Sequence, residues 1–228
     1  NRGIIEAHEQ GIVTSASLMV RWPAAQQAAA YAWNHPELSV GLHLDIAEWI
    51  YQSGQWIPRY QIVDRDDTAS LTQEIGRQLK TFRQLMGRDP THLDSHQHFH
   101  RGEPAKSIVL SWAREMAIPV RGFSPEVCYT GEFYGQTDEG LPYRKGITAE
   151  NLLRIAHDLT PVCTELGCHP GYAGDLESMY LAEREQEVRT LCDPRIRGAI
   201  REMGVELLSF KDLAFVLNRS KGEAALLR

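Results

Sequence analysis

The spacing of apolar positions changes several times along this chain. Ile4, Ile5 and Ala7 sit at helical spacing and the pattern stops at Gly11, so residues 4–10 read as a helix. Residues 12–20 (IVTSASLMV) are apolar and β-branched and predict a strand. Residues 23–34 are Ala-rich with proline in the first turn and predict a helix. A second strand is expected over 39–46 (SVGLHLDI), then a long polar and aromatic loop over 47–67. Leu71, Ile75, Leu79, Phe82 and Leu85 follow a 3.6-residue period and predict a helix over 69–86. A third strand is expected over 92–98, a helix over 105–116 and a fourth strand over 118–123. After another long loop come a helix over 149–159 and a fifth strand over 162–169. Residues 181–203 predict two helical stretches broken near Pro194, followed by a sixth strand over 205–210 and a closing helix over 211–218.

Strands that alternate with helices call for a parallel sheet covered by helices. The opening helix has no strand before it, and supplying one gives seven βα units. The expected fold is therefore α/β: a distorted, incomplete (β/α) barrel of about seven parallel strands, the first absent from this sequence. The apolar pattern begins at once and no Met precedes Asn1, so the natural N-terminus is expected upstream. No linker or low-complexity run interrupts the chain, and residues 1–228 are expected to form a single domain.

Composition changes this picture little. The net charge is −6 and no basic stripe is visible, which argues against a nucleic-acid partner. No apolar run approaches the roughly 20 residues that span a bilayer. Cys128, Cys163, Cys168 and Cys192 form no C-x-x-C pair, a pattern that suits buried thiols in a reducing, cytoplasmic setting.

In a parallel barrel the reactive groups gather where strands end. The second strand ends at His43-Leu44-Asp45, the third at Asp94-Ser95-His96-Gln97-His98-Phe99-His100, the fourth near Arg121 and the fifth at His169-Pro170-Gly171. His92, Asp94, His96 and His98 share parity, so an extended chain would point them one way. Several imidazoles on one face suggest metal binding or proton transfer, because each ring needs hydrogen-bond partners that an apolar core lacks. A solvent-facing polar strand end is the bland alternative. His43 alone could be a satisfied core histidine, and His169 could belong to a simple turn. Trp49, Tyr51 and Trp56, with Phe133 and Tyr134, crowd two loops; their rings suit either a sugar face or loop packing.

These segments resemble a known family. NRGIIEAHEQGIVTSASLMV at the start, GLHLD at 41–45, PTHLDSHQHFH at 90–100 and ELGCHPG at 165–171 are similar to the YdjC-like carbohydrate deacetylases, the ChbG/HpnK group. The resemblance extends over essentially the whole chain. It implies a distorted barrel, often a homodimer, that hydrolyses acetamido groups on sugars. It also implies His43 and His96 as ligands of one divalent metal ion, zinc or magnesium, with manganese also tolerated by such a donor set. By the same resemblance His169 is the general acid and Arg121 orients the base, while His98 and His100 lie behind the ligands or on the substrate rim. Asp94 would hold a histidine tautomer. Asp45, Trp49 and Tyr134 are placed with the supporting or substrate contacts. The family's alanine–aspartate–aspartate–phenylalanine–glycine motif, source of its base and a carboxylate ligand, is absent from this sequence, and a protein truly lacking it is expected to be inactive.

The expected activity is removal of an acetyl group from an N-acetylated amino sugar, with a metal-activated water as nucleophile and a protonated His169 serving the departing amine. Two alternatives stand beside it: a metal-dependent phosphoesterase on a similar barrel, which would call for more carboxylates, and an inactive sugar-binding homologue.

Overall fold

The computed structural model describes residues 1–160, 163–175 and 178–213. The order is α1 (Arg2–Glu9), β1 (Ser15–Leu18), α2 (Ala25–Asn34), β2 (Ser39–Leu44), β3 (Ala47–Gln52), β4 (Gln55–Gln61), α3 (Thr68–Met86), β5 (Leu93–Ser95), α4 (Ala105–Met116), β6 (Val127–Thr130), α5 (Ala149–His157), β7 (Cys163–Leu166), α6 (Ala182–Leu191) and α7 (Pro194–Glu202). The architecture is mixed α/β with parallel strands, and among the described residues no barrel closes. β1, β2 and β5 form one parallel sheet in that order, and β6 pairs with β7 in a second.

Each sheet has its own core. Val40, Leu42 and Leu44 of β2 turn outward and bury against Ala29 of α2, Leu71, Ile75, Leu79 and Phe82 of α3, and Val109 of α4. A second cluster joins Ala7 of α1, Phe133, Ile147, Leu152 and Ile155 of α5, Leu191 of α6, and Ile196 and Ile200 of α7. The helices start where local chemistry favours it. Asp67 accepts hydrogen bonds from the Ala69 and Ser70 amides at the head of α3, and Gly87 ends that helix at φ 61°. Asp193 caps α7 ahead of Pro194, which explains the break in the 181–203 stretch.

Four expectations need correction. The 47–67 loop contains an antiparallel hairpin, β3–β4, turned by Ser53 and Gly54 at φ 52° and 82°. Two residues at positive φ twist the chain as paired strands require. The expected strand over 92–98 leaves the extended conformation after Ser95. Gln97 and His98 are left-handed (φ 48° and 54°), and the Ser95 hydroxyl caps the turn by accepting the His100 amide at 3.1 Å. His98 therefore does not share the direction of Asp94. The expected strand over 118–123 shrinks to one parallel bridge, Leu93 to Val120, and the regular strand β6 comes later. Residues 205–210 form no strand; they lie against the start of β1, where Thr14 donates to the Leu208 carbonyl at 2.6 Å. The closing helix expected over 211–218 falls mostly outside the described residues.

Candidate active site

The site is built on register. β2 and β5 pair His43 directly with Asp94, and both side chains point to the face opposite the helices. The His43 Nδ1–H donates to Asp94 Oδ1 at 2.8 Å, which leaves Nε2 as the free nitrogen. Asp94 is 1% exposed; its Oδ2 accepts from the Ser17 hydroxyl at 3.0 Å and forms an ion pair with Arg121 Nη2 at 2.7 Å. Burial alone would raise the Asp94 carboxyl; the His43 ring and the Arg121 guanidinium outweigh it and hold the pKa well below the usual carboxylate range. Arg121 also donates through Nε to Glu165 of β7 at 2.8 Å, so one guanidinium ties the two sheets together.

Behind Asp94 runs a directional chain of hydrogen bonds. The Ser39 hydroxyl donates to Thr91 Oγ1 (2.8 Å) and the Thr91 hydroxyl meets His92 Nδ1 (3.0 Å). His92 Nε2–H then donates to Ser17 Oγ (3.0 Å), and Ser17 donates to Asp94. The His92 ring is buried, which pushes its pKa down to about 4 and keeps it neutral, as this pattern of donors requires. Gly41 makes room for it, since a Cβ there would sit 2.6 Å from the ring.

His96 follows β5 and faces His43, ring centroids 5.9 Å apart at 68°. Its Nε2 is buried without a hydrogen-bond partner, as is His98 Nδ1. A buried, unpartnered imidazole nitrogen beside a second imidazole fits a divalent metal that prefers nitrogen donors. Among the described residues no third His, Cys, Asp or Glu joins them, so these two residues alone could supply only part of a ligand set. His98 packs edge-on to Tyr129 (5.4 Å). His100 is fully buried with both ring nitrogens engaged, Nδ1 with Ser95 Oγ and Nε2 with the Arg121 carbonyl at 3.0 Å. It braces Arg121 and has no nitrogen left for a ligand.

His169 follows β7. No ring nitrogen of His169 has a hydrogen-bond partner among the described residues, and the ring is open to solvent. Protein nonetheless crowds it enough that desolvation, then the cations Arg184 and Arg121, push its pKa well below the ordinary histidine value. The two cations act in that direction whatever solvent reaches the ring. Tyr134 meets His169 edge-on at 5.3 Å and stacks on Tyr180 at 4.9 Å.

Asp45 does not join the cluster. Its carboxylate is committed to Arg21 (3.1 Å), the Trp22 indole (3.1 Å) and the Tyr60 hydroxyl (2.7 Å), anchoring the hairpin to the sheet. The Trp49 main chain is gripped at both ends by the Gln97 amide, which accepts from its N–H at 2.9 Å and donates to its carbonyl at 2.7 Å. The sequence reading passed over Ser17, Glu165 and Gln97. Alternation of Ser15 and Ser17 with Ala16 and Leu18 along β1 was a readable sign of a polar inner face. The Ser53-Gly54 dipeptide between aromatic runs was a readable sign of the hairpin.

The family model described as YdjC-like protein matches residues 1–202. A carbohydrate deacetylase of Geobacillus stearothermophilus is 30% identical, covering 93% of this chain and 91% of its own length. A chitooligosaccharide deacetylase of Serratia marcescens is 29% identical, with 93% of each chain covered. The crystal structure of a putative cellobiose-phosphate cleavage protein from Enterococcus faecalis superposes with a TM-score of 0.70 at 24% identity, covering 93% of this chain and 92% of that one, a likeness of fold. On the family match, the chain belongs to the YdjC-like protein family.

Proposed function

We propose that this chain carries the site of a metal-dependent carbohydrate N-deacetylase, on an incomplete (β/α) barrel, which hydrolyses the acetamido group of an N-acetylated amino sugar. The observation that carries the reading is the meeting of His43, oriented by Asp94, with the unpartnered His96 Nε2 on the face that also holds Arg121 and His169. The names of the two curated relatives point the same way. His43 and His96 would hold the ion. The family's paired aspartates, which are not among the 228 residues, would supply a carboxylate ligand and a base. A divalent ion bound there would polarise the acetyl carbonyl and acidify a water.

The chain's own residues do the rest. Asp94 fixes the His43 tautomer, and Arg121 and Ser17 fix Asp94. Trp49 and Tyr134 offer ring faces to the sugar. Breaking the C–N bond expels an amine, a very poor leaving group unless it is protonated. His169 has free ring nitrogens with which to carry that proton. A histidine of lowered pKa is a strong acid once protonated, so transfer to the amine nitrogen is favourable. The balance closes because the proton His169 gives to the amine is matched by the one that the aspartate base takes from the attacking water. A homodimer and a cytoplasmic, reducing setting complete the proposal, the latter in keeping with four free cysteines and no helix among the described residues long and apolar enough to cross a membrane.

The test is acetate release by the full-length protein from N-acetylated chito-oligosaccharides, before and after a chelator. Turnover that the chelator abolishes and added divalent metal restores is the expected result. No acetate from any acetamido sugar with zinc, magnesium or manganese present overturns the reading.

A further inference from the structure

His169 is held in an unusual way. Its ring makes no hydrogen bond among the described residues, yet its main chain is gripped on both sides by one helix. The His169 amide donates to Glu187 Oε2, and the His169 carbonyl accepts from Arg184 Nη1 at 3.1 Å. Glu187 and Arg184 lie three residues apart on α6, on one helical face. Each is itself fixed. Glu187 is fully buried and its other oxygen accepts from the Tyr180 hydroxyl. Arg184 donates through Nε to the Tyr180 carbonyl at 2.8 Å. Tyr180 stacks on Tyr134, and both rings stand edge-on to His169, at 5.9 and 5.3 Å. Arg184 makes no ion pair with a carboxylate among the described residues, so its guanidinium is spent on main-chain carbonyls.

We propose that Glu187 and Arg184 are positioning residues for His169, clamping its peptide from both ends so that the ring stays aimed at the substrate while both its nitrogens stay free to exchange protons. The inference rests on the reading of His169 as the proton carrier. The His169 ring has no hydrogen bond to hold its direction, so the peptide that bears it is where positioning can act. Small misplacements are costly in such a geometry, since about 1 Å can lower a rate by about 10²-fold.

The clamp needs the carboxylate form of Glu187, because both its oxygens act as acceptors. Burial pushes this group up to about 7 against the pull of the Tyr180 hydroxyl, the His169 amide and Arg184. The groups around it do not titrate near that value. The Cys168 thiol, beside it after β7, is raised by burial, and the Tyr180 and Tyr134 hydroxyls are raised as well. Arg184 is the one charge that acts on Glu187; α1 meets α6 through Gly3 against Val188, and the turn over Arg144–Ile147 meets it through carbonyl oxygens. Sign follows directly: the clamp is complete above about pH 7 and loosens as pH falls through it.

The experiment is steady-state deacetylation of an N-acetylated chito-oligosaccharide by the full-length holoenzyme, with Glu187→Ala, Glu187→Gln, Arg184→Lys and His169→Ala. Glu187→Ala should lower kcat about 10–100-fold with KM little changed. Glu187→Gln keeps the shape and one acceptor oxygen. It should recover part of the rate and remove the acid limb near pH 7, since an amide does not titrate. Arg184→Lys should lower kcat by less than Glu187→Ala. If Glu187→Ala fails to fold, the Glu187→Gln pH profile decides alone. A slow His169→Ala enzyme together with unchanged kcat and pH limb in Glu187→Gln overturns this inference only. A His169→Ala enzyme as fast as the parent overturns the reading of His169 and this inference with it.

Discussion

The two sheets hold their histidines by opposite means. In the β1–β2–β5 sheet, His43 is fixed through its ring: Asp94 takes the Nδ1 proton, and Ser17, Arg121 and the buried His92 chain fix Asp94 in turn. Beside the β6–β7 sheet, His169 is fixed through its peptide and its ring is left free. On the proposed reading His43 is a metal ligand, which must present one lone pair in one direction, and a single locked tautomer serves that. On the same reading His169 carries a proton, and with no partner on its ring its direction depends on its peptide. The contrast also separates the energetics. The first arrangement concentrates buried charge around one carboxylate, whereas the second spreads its hydrogen bonds along a helix.

The strongest way to break the comparison is at Asp94. Asp94→Asn keeps the shape and removes the charge that His43 and Arg121 share. Losing one partner of a buried ion pair costs about 3–5 kcal/mol, and we expect a loss of that order in urea unfolding at pH 7. The pH dependence is fixed in sign. The folded-state carboxyl lies well below its unfolded value of about 3.9. Its stabilisation is therefore complete above about pH 5 and fades as pH falls through the folded pKa. The difference between parent and variant should be flat from pH 5 to 8 and narrow only below about 4. The variant should also bind zinc more weakly in direct titration, because His43 loses its tautomer lock. A variant as stable as the parent at pH 7 would show that Asp94 is not the keystone of this half.

Ser17→Ala sharpens the same half with a smaller effect. It removes one donor to Asp94 and strands the His92 Nε2–H. A buried group left unpaired costs about 1–3 kcal/mol. His92 stays neutral well below the working range, being lowered to about 4, so this loss should not vary with pH between 5 and 8. Thermal melts at several pH values check it; a loss that changes sharply near pH 6.5 would mean that His92 titrates and that the hydrogen-bond chain is drawn in the wrong direction.

The same contrast explains what could be read in the sequence. The placing of His43 and Asp94 at neighbouring strand ends was legible from the strand pattern, whereas a metal role for His43 and His96 came only from the family resemblance. Helices with a clear apolar period, such as α3, and capping residues such as Asp67 were legible as well. The β5 turn was not, since its left-handed residues are Gln97 and His98 and no glycine announces them. Glu187 and Arg184 were invisible for a different reason. In the segment AEREQEVRTL they look like any charged helix surface, and only the packing of α6 against the His169 peptide buries Glu187 and half-buries Arg184. A clamp that acts on main-chain atoms places no demand on the residue it holds and so leaves no pattern beside it.

The smallest expected effect lies where the two halves face each other across the hairpin. Gln97 is the tie: its amide satisfies both main-chain groups of Trp49 and so lashes β3–β4 to the end of β5. It does this from a left-handed backbone, φ 48° and ψ 27°, which favours glycine. Two substitutions separate the tie from the strain. Gln97→Ala loses both hydrogen bonds and keeps a Cβ in the strained conformation. Gln97→Gly loses the same bonds and relieves the strain, which is worth about 1 kcal/mol. If the hairpin serves the sugar, both variants should raise KM for an N-acetylated oligosaccharide by a similar few-fold factor. Two net hydrogen bonds of about 0.5–1.5 kcal/mol each set the upper limit of that rise. kcat should barely move, because neither His43 nor His169 depends on the tie. Stability should split the pair, with Gln97→Gly melting above Gln97→Ala. Equal KM rises with unequal melting temperatures would show that Gln97 acts on substrate binding through Trp49. A KM change that tracked the melting temperature would instead make the hairpin a structural cover, and the site would be read by the rings around His169 alone.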